Sequence, residues 1–121
     1  MISQAERSRI YSEINTTKNR IGQIDIEIGQ KKNRIQLLKG EKRELVELNR
    51  MFSRENAKQE RASRRGNYIC EPNYGVLNTE RGMFNLQNQI DALYGEIDVL
   101  YREKSNLFAL KEKLYNQLQG R

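Results

Sequence analysis

A chain of 121 residues that is 36% hydrophobic and 31% charged, with no tryptophan and three phenylalanines, is long enough for one domain but too poor in apolar mass for a thick globular core. Its 22 basic and 16 acidic residues leave a net charge of +6, and the lack of histidine beside a single cysteine, Cys70, excludes an intrachain disulfide, a cysteine-rich metal site and the commonest general base. No stretch approaches the roughly 20 apolar residues of a membrane span, and MISQAERSRIYSE lacks the apolar centre of a signal peptide, so the protein is expected in the cytoplasm or exported without a cleaved leader.

A first helix is expected over residues 3–65. Ile14, Ile21, Ile28 and Ile35 fall at one core position of a seven-residue repeat, and Ile10, Ile24, Leu38, Leu45 and Phe52 at the other. Thr17, Lys31, Lys42 and Asn49 interrupt that seam. Such residues either fix the register of a coiled coil or, in the simpler reading, lay their stems over the seam and deliver their charges to water. Gly22 and Gly29, also seven apart, could admit a partner backbone; each otherwise costs about 1 kcal/mol relative to alanine.

A turn is expected over residues 66–77. Arg61, Arg64 and Arg65 favour the negative pole of the preceding helix, and Gly66 with Asn67 can take the left-handed conformation that ends it. Pro72 lacks an amide donor and biases Glu71 toward extended backbone, while Asn73 to Gly75 is turn chemistry. With no histidine to activate it and Glu71 adjoining, Cys70 reads as a small residue under the loop and not as a nucleophile. The run from Arg54 to Arg65 holds five basic and two acidic residues, and Tyr68 and Tyr74 near it could stack on bases. Charge completing a helix terminus is the simpler account, and nucleic acid is the disfavoured one.

A second helix is expected over residues 78–119, capped by Asn78 or Thr79 with Glu80 in its first turn. Leu86, Leu93, Leu100, Leu107 and Leu114 occupy every d position, and Met83, Ile90, Ile97 and Leu118 take a positions, broken by Lys104 and Lys111. The two arrays can cover each other at low loop-closure cost. The expected fold is therefore all-α: a single long antiparallel helical hairpin, a coiled coil over residues 1–121. Because the first helix is the longer, its N-terminal third, with Ile2, Ile10 and Tyr11, is expected to overhang.

Beside the d leucines the e positions hold Tyr94, Tyr101, Phe108 and Tyr115. A simple antiparallel pair needs only a narrow a/d stripe, so an a/d/e surface suits a larger bundle completed by a partner. These four aromatics are the candidate partner-binding residues; the alternative is that their rings flank the hairpin seam and expose their hydroxyls. Leu37, Val46, Leu48, Met51 and Leu110 add apolar area outside the strict seam. No phosphate loop, carboxylate cluster or acidic tip is present, so no catalytic, cofactor-binding or metal-binding residue is assigned and no enzymatic activity is expected.

A helical hairpin of this length with heptads on both arms, no signal peptide and a break in mid-chain resembles the small helical partner proteins of bacterial type VII secretion, the WXG-type proteins and the accessory proteins of LXG-type toxins. The resemblance implies a non-enzymatic, chaperone-like or targeting protein whose hairpin pairs with the helical domain of a larger secreted effector, with a second small helical protein as a further candidate partner. The family's export signal Y-x-x-x-[DE] is matched by Tyr94 and Asp98 in YGEID, inside the second helix. The W-x-G turn is missing, with Tyr74-Gly75 at the break instead, so the divergent accessory partners are the better comparison. The alternatives are a structural or regulatory coiled-coil adaptor outside secretion and a basic nucleic-acid-associated hairpin. Replacing Cys70 by Ser is expected to leave partner capture unchanged in a co-purification assay.

Overall fold

The computed structural model describes residues 2–66 and 74–120. Two helices, α1 (Gln4–Gly66) and α2 (Tyr74–Leu118), pack against each other as a hairpin, and the fold is all-α. At the start of α1 the Ser3 hydroxyl accepts the amide hydrogen of Glu6 at 3.2 Å, and Glu6 adds negative charge to the positive pole. Arg64 and Arg65 lie in its last turn, as the sequence requires, and Gly66 is its last residue. Asn67, Cys70 and Pro72 lie outside the described residues. At the other end of the chain Gly120 takes φ +74° and donates its amide to Gln117 at 3.1 Å, the left-handed termination that glycine permits.

The start of α2 departs from expectation. The helix begins at Tyr74, so Gly75 is helical and not a turn residue, neither Asn78 nor Thr79 is the cap, and Glu80 falls beyond the first turn. Thr79 is buried within the helix, and its hydroxyl serves the carbonyls of Gly75 and Val76 at 2.9 and 3.0 Å. That hydroxyl also accepts a hydrogen bond from Asn49 Nδ2 at 2.8 Å. Threonine chemistry that reads as a cap thus joins the two helices instead.

The hairpin divides into two compact units. In the open-end unit, residues 2–33 and 93–120, Ile10, Ile14 and Leu114 form a buried cluster with Ile2 and Leu118 packed on it. The N-terminal part of α1 is therefore covered by the C-terminal part of α2 and does not overhang. Ile21, Ile24, Ile28, Ile97 and Leu100 continue the buried seam. Each such aliphatic side chain contributes about 1.5–3 kcal/mol by leaving water.

In the loop-end unit, residues 34–92, Ile35, Leu38, Leu86 and Ile90 are buried. Beyond them the helices close over glycine: a Cβ at Gly82 would stand 2.7 Å from Leu45 Cδ1, and one at Gly75 would meet three atoms of the Phe52 ring at 2.7–2.9 Å. Since Phe52 lies against Gly75 at the very start of α2, residues 53–66 of α1 have no α2 residue opposite them. The excess length of the first helix is real, but it sits at the loop end.

The glycines separate into two kinds. Nothing stands within 4 Å of a Cβ built on Gly22 or Gly29, so the hairpin itself does not need them. Gly22→Ala and Gly29→Ala should each raise the stability measured by urea unfolding by about 0.5–1 kcal/mol. Gly75→Ala should lower it by about 1–3 kcal/mol, because a ring pressed by three of its atoms must move as a body. Gly82→Ala should stay within about 1 kcal/mol of the parent, because the far methyl of a leucine can rotate away.

Candidate protein-docking site

A helix that gives its a and d residues to the seam must turn its e residues to the seam's edge. In the open-end unit this holds for all four aromatics of the predicted row. Tyr94, Tyr101, Phe108 and Tyr115 keep 45%, 44%, 44% and 36% of their surface exposed, too much for core and too little for free surface residues. Tyr94 and Asp98 stand one turn apart on α2, and both are exposed.

Lysines line this aromatic edge. Lys32 Nζ donates to the Tyr101 hydroxyl at 2.9 Å; it lies 5.6 Å from the ring centroid, so the contact is with the polar tip and not with the π face. Lys18 Nζ stands 5.6 Å from the Tyr115 ring, and Lys111 Nζ stands 4.7 Å from the Phe108 ring. Lys104 is also within 5.8 Å of Phe108, but its ammonium donates to Asp25 Oδ1 at 2.6 Å, and the ion pair dominates. The edge therefore offers flat apolar area bordered by Lys18, Lys32 and Lys111.

The opposite edge of the same seam is ionic. Arg20 donates through Nε and Nη2 to the two carboxylate oxygens of Glu103 at 2.8 and 3.0 Å, and through Nη1 to Glu27 at 3.2 Å. The bidentate bond from Arg20 holds the Glu103 carboxyl below its ordinary range, and the same bond raises the Arg20 guanidinium. Lys31 Nζ, seated in the seam, reaches Glu96 at 3.2 Å.

Across the fold, the polar seam residues do not simply end in water. Lys31 and Lys104 close ion pairs to the facing helix in the open-end unit, and Lys42 donates to Gln87 at 2.7 Å in the loop-end unit, where Asn49 donates to Thr79. Thr17 is satisfied within its own helix by the Glu13 carbonyl at 2.8 Å. Among the described residues no buried side-chain nitrogen or oxygen lacks a partner.

Leu37, Leu48, Met51 and Leu110 are exposed as their positions outside the seam imply, and Val46 is half-buried. Ile26, Leu77, Phe84 and Val99 are exposed as well and escape a reading by heptad rows, since none of them falls on the core rows or on the aromatic row. Among the described residues no group of three or more histidine, cysteine, aspartate or glutamate side chains could hold a metal ion, and no helix is long and apolar enough to cross a membrane.

No protein-family model, no curated protein and no solved structure matches this chain.

The pH dependence of the Arg20–Glu103 pair has a definite sign. A carboxyl held below its unfolded value adds stability that is fully present above that value and is lost as pH falls through the folded one. Arg20 stays charged throughout. Below about pH 4.3, the ordinary glutamate value, the melting temperature of the parent should fall more steeply with pH than that of Glu103→Gln; thermal melts followed by circular dichroism across the acid range check this.

Proposed function

We propose that this protein is a non-enzymatic helical partner that lays the aromatic edge of its open-end unit against a helical region of a larger protein. The observation that carries the reading is the row of four half-exposed aromatics at seven-residue spacing, bordered by Lys18, Lys32 and Lys111. Aromatic side chains supply large contact area at low entropic cost and are favoured at the centres of interfaces. The lysine border adds a charge requirement, so the matching surface is an amphipathic helix with acidic residues beside its apolar stripe.

The resemblance to the accessory partners of type VII secretion supplies the identity of that larger protein: a secreted effector, a toxin, whose helical targeting domain the hairpin completes as a bundle. A hairpin with a spare apolar edge is suited to add two helices to such a domain. Tyr94 belongs both to the docking row and to the export-type pair with Asp98, so a helix seated on the row would cover one member of that pair.

Tyr101→Ala combined with Phe108→Ala should weaken capture of the effector's helical region by about tenfold or more while costing the hairpin less than about 2 kcal/mol, since both rings are already half in water. Isothermal titration and urea unfolding read the two effects separately. Equal losses in both would remove the docking role. Co-purification from the native host, with sequencing of whatever is captured, tests the class of partner. Failure to recover a protein joining a helical region to a toxin or lipase domain would overturn the secretion reading.

A further inference from the structure

The part of α1 with no α2 residue opposite it carries a second surface. At 100° per residue, Arg54, Lys58, Arg61 and Arg65 fall within an arc of about 60° and span about 16 Å along the helix. All four are exposed, and Lys58, Arg61 and Arg65 line one surface cleft with Ala62 and Gly66. The two acids of the stretch, Glu55 and Glu60, point about 90° and about 130° away from the arc's centre. Arg43 and Arg50 prolong the stripe toward the N-terminus, and the one acid within that prolongation, Glu47, is already held by Arg50 at 2.8 Å.

We propose that this stripe is a polyanion-binding surface that takes the phosphate backbone of nucleic acid without regard to sequence. Three features select that ligand. Duplex DNA presents one charge per about 1.7 Å of its axis, so cations spaced about 4.5–6 Å apart find a phosphate in any register, whereas an acidic helix would need its carboxylates in a matching row. Three of the four residues are arginine, whose planar fork binds phosphate oxygens in pairs. The segment's apolar residues are Ala57 and Ala62 alone, so it has no apolar face to enter a bilayer. None of this depends on the aromatic edge, which belongs to the other unit.

The test is fluorescence anisotropy of a labelled duplex of arbitrary sequence, about 20 base pairs long, titrated with the full chain over a series of salt concentrations. Four phosphate contacts predict a log–log salt slope of about −3.6, equivalent to about a hundredfold loss of affinity between roughly 50 and 200 mM salt. R54Q/K58Q/R61Q/R65Q should lose at least about tenfold in affinity and flatten the slope, and R61Q/R65Q alone should remove about half of the slope. Glutamine matches lysine and arginine in helix propensity, so both variants keep their helix. R7Q/R34Q/R102Q/K113Q, of the same net charge but with cations removed elsewhere, should stay within about threefold of the parent. Equal losses in the two quadruple variants, no binding by the parent at low salt, or tighter binding to vesicles of phosphatidylcholine and phosphatidylserine than to the duplex would each overturn the proposal.

Discussion

Everything in this fold follows from the burial of one narrow aliphatic stripe on each of two helices. The chain has too few apolar residues to cover more, and it spends them in a line: isoleucines on α1, leucines and isoleucines on α2, most of them almost wholly removed from water. Two helices in contact can dry only one line each. The e-row aromatics therefore stop at the border of that line, which leaves them available to something else, and the polar residues Thr17, Lys31, Lys42, Asn49 and Lys104 inside it bond within the protein.

Repetition creates a second problem that the polar contacts solve. A seam with isoleucine at 14, 21, 28 and 35 looks much the same after a slip of seven residues, so aliphatic packing alone would tolerate the wrong alignment. The charges do not tolerate it. Lys104 donates to Asp25, and a slip by one heptad in either direction would set it against Lys18 or Lys32 instead, exchanging an attraction for a repulsion. Asn49 with Thr79 likewise bonds at only one alignment within its own unit, since a slip by one heptad would set Asn49 against Leu86. Exposed ion pairs contribute little to stability, but discrimination between registers needs only the difference between them.

The seam, its polar interruptions and the aromatic row were legible because periodicity is a one-dimensional signal that survives without coordinates. Which end of the first helix is left uncovered was not, because a periodic seam carries no mark of where its partner begins. The boundary of α2 was misread for a local reason. Asn78-Thr79-Glu80 has the chemistry of a helix start, and the contact that overrides it, Phe52 lying on Gly75, joins positions far apart in sequence. The destinations of Lys31, Lys42 and Lys104 were equally hidden, since a lysine that reaches a facing carboxylate and one that reaches water have the same letter in the sequence.

The cluster of Ile10, Ile14 and Leu114, with Ile2 and Leu118 seated on it, has a consequence for anything joined to the protein. Because the first and last turns share one apolar cluster, segments attached before Ile2 and after Leu118 leave side by side, tethered within a few nanometres of each other. Two modules placed there would meet at an effective concentration in the millimolar range whatever their affinity in free solution. The open end of the hairpin is in that sense a clamp for its own extensions, and a label or fusion at one terminus reports on, or obstructs, the other.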